Sequence, residues 1–261
     1  MNVINSYISP GIARWKRKGA SIKYLKKSAI SIPAIFLKST KKTKNLFLIA
    51  SGFHLEETSG PIYLLDSNQS YSNLKKILKF SNIVLLPVVN QRGLKYKETD
   101  SDNYLRYNDR GINYNTRWGS SSEKCVEVTL IEKYIIQLFA KYNIVFVLSL
   151  HEDSTEFKKG YLWMNSLDLK IRNLIQNYVK NRISPKILRR LRKIGLRQGF
   201  IENNFTIVDS KDDSFENFTS AILGIPTLIS EAPFGLSLTQ RIFFHKTVLN
   251  SIPFKKILNT H

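Results

Sequence analysis

Short apolar runs alternate along the chain with longer segments whose apolar residues recur every three or four positions. The first pattern reads as strands and the second as helices. Ile30 to Leu37 and Leu46 to Ala50 are apolar runs joined by the polar turn Ser39-Thr40-Lys41-Lys42-Thr43-Lys44. Gly60 to Phe80 carries Leu74, Ile77 and Leu78 at helical spacing, and Ile83 to Val89 is nearly all apolar, as in a central strand. Asn90 to Ser122 has no periodicity and many Gly, Asn, Asp and Arg residues, so it reads as a long loop of the kind that usually carries function. A helix is expected over Glu123 to Tyr142, then a strand over Ile144 to Leu150. Leu167 to Val179 and Lys186 to Ile194 read as helices. Phe205 to Val208 and Thr227 to Ile229 read as the last strands, and Leu238 to Leu249 as a closing helix. This alternation predicts an α/β layered domain. No repeat, low-complexity segment or linker divides the 261 residues, which read as one domain with residues 1–28 as a basic, peripheral N-terminal segment.

Three polar clusters break in abruptly where apolar runs end. His54-Leu55-Glu56-Glu57 follows Leu46 to Ala50, His151-Glu152-Asp153 follows Ile144 to Leu150, and Glu231 follows Thr227 to Ile229. Strand ends are where α/β folds place their chemistry. Catalytic zinc commonly takes two histidines and one carboxylate and leaves the fourth position for water. His54 and a carboxylate three residues on can meet one metal if the chain turns tightly, and Gly52 and Gly60-Pro61 supply turn chemistry on both flanks. Glu56 and Glu152 compete with Glu57 by proximity; the spacing favours Glu57. Glu152 is instead placed to orient a ligand from behind. A carboxylate as close to the interior as Glu231 needs a partner.

The single cysteine, Cys125, excludes an internal disulfide framework and thiolate-rich zinc structures. It lies among Val126 and Leu130 and is expected to be buried and structural, as is His245 beside Phe243 and Phe244. The longest apolar runs are of strand length, and the first residues have no basic start with an apolar core, so neither a membrane span nor a secretion signal is expected. The expected location is cytoplasmic. A net charge of +20 invites a polyanion reading, with basic clusters at Arg14 to Lys27 and Lys180 to Arg197. In the second cluster Ile187, Leu188, Leu191 and Ile194 share one helical face and leave the basic residues solvated, and no nucleic-acid motif accompanies either, so no specific nucleic-acid partner is expected.

The clusters together resemble the zinc carboxypeptidase superfamily of carboxypeptidase A-like enzymes, closest to its murein peptide amidase-like and succinylglutamate desuccinylase-like branches. Gly52 to Pro61 is similar to a family motif Gly-x-His-Gly-x-Glu-x-x-Gly-Pro, departing mainly at Leu55, and Leu150-His151-Glu152-Asp153 matches the third-ligand motif. The long loop resembles the family's too: Pro87-Val88-Val89-Asn90-Gln91-Arg92-Gly93, then Arg106, then Gly111-Ile112-Asn113-Tyr114-Asn115-Thr116-Arg117-Trp118. The resemblance runs from Leu46 to Gly235 in the family's order. It implies a single α/β domain with a mixed central sheet flanked by helices on both faces.

The resemblance also implies Zn2+ held by His54, Glu57 and His151, with Glu231 as general base and Arg106 stabilising the oxyanion. Asn115 matches the asparagine that helps hold a substrate's terminal carboxylate. The family's next residue is arginine, whereas this chain has Thr116 and only then Arg117. A guanidinium donates two parallel hydrogen bonds to a carboxylate, which threonine cannot do. Either Arg117 reaches the carboxylate or this recognition element is lost. Residues 213–220 also lack the tyrosine that covers the substrate's C-terminus in carboxypeptidase A-like members. The implied substrate is a peptide or acyl-amino acid bearing carboxylates, with cell-wall peptides one candidate. An N-acyl amino acid deacylase of the succinylglutamate desuccinylase or aspartoacylase type is one alternative, and a non-enzymatic polyanion-binding protein with a vestigial metal site is another.

Overall fold

The computed structural model describes residues 2–96, 105–108, 110–153, 161–165 and 213–259. The helices expected at 167–179 and 186–194, the strand at 205–208, the basic cluster at 180–197 and His261 lie outside the described residues.

Strands β1 (Ser21–Lys27), β2 (Ile30–Leu37), β3 (Asn45–Ser51), β4 (Asn82–Leu86), β5 (Asn143–Asp153), β6 (Tyr161–Asn165) and β7 (Thr227–Pro233) form one sheet. Their order is β1-β2-β4-β3-β5-β7-β6. The inner strands β4, β3, β5 and β7 run parallel, while β1, β2 and β6 pair antiparallel toward the edges. The sheet is therefore mixed, as the resemblance implies.

Strand alternation divides the apolar residues between two cores. Phe47, Ile49, Ile83, Leu85, Phe146 and Leu148 enter one core, and Leu46, Leu48, Ala50, Val84, Leu86 and Val147 enter the other. Such period-two sorting buries a sheet on both faces. Helices α1 (Asn5–Arg17), α2 (Ser59–Leu65), α3 (Ser67–Ile77) and α6 (Leu238–Ser251) cover the first face through residues such as Trp15, Ile62, Leu74 and Phe244. Helix α4 (Val126–Lys141) covers the second with Val128, Ile131, Ile135 and Leu138, the stripe that its i, i+3, i+4 spacing provides. A short turn of helix, α5 (Phe215–Asn217), joins the second face, and α7 (Phe254–Leu258) closes the first.

The expected helix over 60–80 is two helices. Asp66 leaves helical backbone with ψ of 88°, and its side chain accepts from Asn68 N to cap α3. The hydropathy pattern does not reveal α1, β1, β6 or the short helices α5 and α7. Helix α1 carries Pro10 and many basic residues, but its buried Ile12 and Trp15 face the core, and Trp15 Nε1 donates to the Leu64 carbonyl at 2.8 Å. Strand β1 has only Leu25 buried and forms the outer edge of the sheet.

Gly52 turns the chain off β3 with φ of +68°, where a Cβ would come within 3.0 Å of Val88 Cα. A side chain there meets both backbone strain and a clash. Gly52→Ala is expected to destabilise the fold by about 1–3 kcal/mol, read as a lower urea midpoint with an unchanged slope.

Candidate metal centre

The chemistry-bearing residues gather at the carboxyl ends of β3, β5 and β7. Beyond Ser51, residues 51–52 run beside the exit from β4: Val89 N donates to Ser51 O at 3.1 Å and Asn90 N to Gly52 O at 2.8 Å. The Gly52 turn then aims His54 and Glu57 inward. His151 lies on β5 itself, paired in register with Glu231 of β7, so the two side chains emerge from the same sheet face. Glu152, one residue on, emerges on the other face.

His54 Nδ1 lies 2.6 Å from Glu57 Oε1, and His151 Nδ1 lies 2.8 Å from Glu57 Oε2. One ligand atom from each of His54, Glu57 and His151 fits within 4.8 Å of the others, and all three residues are buried. Two imidazole nitrogens and one carboxylate oxygen converging in a buried pocket form a donor set that suits a divalent metal. These three expected ligands therefore come together as a cluster compatible with a metal site. Glu152 does not join it. Its carboxylate accepts from Ser59 N at the start of α2 and pairs with Arg241 of α6, because strand alternation turns it to the opposite face. Glu56 also stays outside, paired with Arg106.

Arg106 is held at the cluster. Leu55 N donates to Leu105 O, Tyr114 N donates to Arg106 O, and Asn90 Nδ2 donates to Leu105 O, so this part of the long loop is fastened to the His54 turn. The guanidinium lies 2.8 Å from Glu56 Oε1 and 3.3 Å from Glu57 Oε1. Asn115 and Arg117 have other attachments. Asn115 Nδ2 donates to Glu216 Oε2 at 3.0 Å, and its Oδ1 accepts from Phe215 N. Arg117, with φ of +65°, donates to the Glu123 carbonyl; to meet a substrate carboxylate its guanidinium would have to leave that oxygen.

Charge at the cluster follows from burial without water. Burial opposes ionisation of Glu57, yet the adjacent His54 and His151 hold its carboxyl well below the usual range. Burial likewise opposes charge on His151, but Glu57 and Glu216 push its imidazole well above its ordinary value. Glu231 is pushed up to about 8, first by burial and then by Glu57, Asp153 and Glu216, with His151 opposing. Glu152 rises to about 7 through burial, against the pull of Arg241. Burial takes the Cys125 thiol up to about 12, which leaves it protonated and inert, in keeping with a structural cysteine.

Three contacts at the centre have no counterpart in the sequence reading. Asn113 Oδ1 lies 2.9 Å from His54 Nε2, Glu216 Oε1 lies 3.1 Å from His151 Nε2, and the Phe53 ring stacks on His151 at 5.0 Å between centroids. The signal for Glu216 was an acid set between Phe215 and Phe218, a setting that implies a buried partner.

A scan against protein-family models and a search of curated proteins find no match to this chain. Solved structures do match. A protein of Shewanella denitrificans OS217 with a provisional metallopeptidase designation superposes with a TM-score of 0.71 at 21% identity, over 96% of this chain and 89% of its own. A metallo-carboxypeptidase of Burkholderia cenocepacia gives 0.70 at 14% identity, over 97% and 69%. Bovine thrombin-activatable fibrinolysis inhibitor, in complex with tick carboxypeptidase inhibitor, gives 0.66 at 14% identity, over 99% and 97%. The chain has the zinc-carboxypeptidase fold. Within that fold, the His54, Glu57 and His151 cluster sits where this chain's sheet opens at its parallel strand ends. Among the described residues no helix is long and apolar enough to cross a membrane.

His245 of α6 is fully buried behind the centre, with Ser230 Oγ 2.9 Å from its Nδ1. Burial takes its imidazole down to about 3, with His151 and Arg241 adding to the effect and Glu57 opposing it. The unfolded chain therefore binds the extra proton first. The stability this neutral ring contributes is complete above about 6.5 and is lost as pH falls from there toward 3. His245→Gln, which keeps a partner for Ser230 but does not titrate, is expected to show a flatter fall of urea midpoint across that pH range than the parent.

Proposed function

We propose that this protein is a zinc-dependent amide hydrolase of the metallocarboxypeptidase kind, acting on a peptide that carries carboxylates. The observation that carries this reading is the convergence of both imidazole Nδ1 atoms on the two oxygens of one buried carboxylate, with Glu231 register-paired to His151 and Arg106 beside Glu57. His54, Glu57 and His151 would hold the ion. Bound zinc supplies Lewis acidity, which brings the pKa of water toward about 7.

The chain's own residues account for the rest. Glu231 takes the proton of the attacking water on its carboxylate and passes it to the departing amine nitrogen. Desolvation and neighbouring carboxylates favour its protonated form, while cationic charge at the cluster favours the ionised one, so the group can serve in both directions. Arg106 turns N–H donors toward the carbonyl oxygen as negative charge develops there. Glu231 and Arg106 are each only partly exposed, and the reduced contact with water strengthens both effects.

The charge of +20 supports an anionic substrate, for which cell-wall peptides with several carboxylates are a candidate class. Thr116, at the position of the family's arginine, favours a second reading in which the enzyme is an N-acyl amino acid deacylase rather than a strict C-terminal exopeptidase. A mass-detected hydrolysis screen of peptides and acyl-amino acids, run with and without chelator, separates these readings.

Purified protein is expected to hold about one zinc per chain, with His54→Ala and His151→Ala losing it; full metal content in both variants would reject these ligands. Glu231→Gln is expected to keep the metal and lose about 10²–10⁴-fold in kcat. Arg106→Ala is expected to cost about 10²–10³-fold in kcat with the metal retained, measured by steady-state hydrolysis of the best substrate in the screen.

A further inference from the structure

Behind the proposed ligands runs a second set of hydrogen bonds that joins the two imidazoles. His54 Nε2 faces Asn113 Oδ1 at 2.9 Å. The same Oδ1 accepts from Asn115 N at 2.7 Å, which identifies that atom as the amide oxygen. The Asn115 side chain then spans to the far side: its Nδ2 donates to Glu216 Oε2 at 3.0 Å, and its Oδ1 accepts from Phe215 N at 3.1 Å. Glu216 Oε1 completes the path at 3.1 Å from His151 Nε2. On the front, Glu57 joins the two Nδ1 atoms. The circuit is closed.

We propose that Asn115 and Glu216 form an outer clasp that sets the orientation and tautomer of both ligand imidazoles, and that Asn115 serves this clasp rather than a substrate carboxylate. The inference rests on the metal reading above and assigns positioning residues within it.

Chemistry fixes the direction. Asn113 Oδ1 and a carboxylate oxygen of Glu216 can only accept, so each Nε2 must carry its hydrogen; Glu57 accepts at each Nδ1, and with an ion bound there each Nδ1 would give its lone pair to the metal instead. A carboxylate behind His151 also raises that ring's basicity, the arrangement that commonly backs metal-binding histidines. Glu216 is itself buried, and Phe53 stacks flat on the His151 ring, so the ring has little freedom to turn away. Both polar ends of the Asn115 amide are occupied. Freeing them would take a donor from the buried Glu216 carboxylate and the acceptor from the Phe215 N–H, which costs more than one surface hydrogen bond returns.

The test uses the full chain and zinc as probe, with affinity read by competition against a chromophoric chelator. Glu216→Gln keeps the shape but removes the charge, and Asn115→Ala breaks the bridge; each is expected to weaken zinc binding by about 10–100-fold. Nitrogen-15 spectra of the zinc-loaded parent are expected to show both His54 and His151 as Nε2–H tautomers, with the His151 Nε2 proton exchanging slowly and moving in Glu216→Gln. Zinc bound as tightly by both variants as by the parent overturns the clasp and leaves the metal reading intact. A parent that binds no zinc overturns both. An Asn115→Ala variant with parental zinc affinity, and a KM raised only for substrates with a free terminal carboxylate, returns Asn115 to substrate binding and refutes its place here. If Glu216→Gln does not fold, the parent spectrum decides, since an Nδ1–H tautomer on either ring rejects the proposal.

Discussion

A carboxylate shut away from water must be matched by positive charge or fall neutral, and Glu57 meets that demand with two imidazoles and a guanidinium. The rest of the centre follows from this requirement. His54 comes from a turn and His151 from a strand, and the carboxylate is the group that brings their Nδ1 atoms to one point. Arg106 is drawn to the Glu57 oxygen that faces His54, which stations a cation at the edge of the cluster. Removing Glu57 would leave the two rings facing each other with nothing between them. A metal ion at the same point would answer the same electrostatic need, which is why the arrangement reads as a site and not as an accidental ion pair.

The sheet decides which polar residues can take part. On β5, Ser149 and His151 share a face, and Glu152 takes the other. That parity sends Glu152 to Ser59 and Arg241, where it fastens the start of α2 to α6, and brings His151 level with Glu231 on β7. Adjacent acids in the sequence thus perform unrelated tasks. The parallel pairing of β3, β5 and β7 does the complementary work of bringing distant segments to one end of the sheet.

Much of this was legible in the residues, for physical reasons. The apolar runs at 30–37, 46–50 and 144–150 are strands, as is the first part of 83–89 up to Leu86, and such buried strands show themselves as near-continuous hydrophobic stretches. The polar groups at their ends stand out because the interior tolerates so few. What escaped was whatever is stabilised by tertiary partners rather than by its own pattern. Helix α1 combines a proline with basic residues and depends on Trp15 reaching Leu64, and the edge strand β1 has one buried position. The join between α2 and α3 turns on a single Asp66. Asn113 and Glu216 were in view as residues, but a role for either requires knowing that 113, 151 and 216 meet, and spacing along the chain does not carry that.

Strand β1 has a consequence for how the molecule behaves in company. Among the described residues no strand pairs with its outer rim, and an open rim is the usual starting point for sheets to grow from one molecule into the next. Lys23, Lys26 and Lys27 stud that rim. Two such borders brought together would set ammonium against ammonium, so part of the chain's surplus of cations opposes growth of the sheet across this rim.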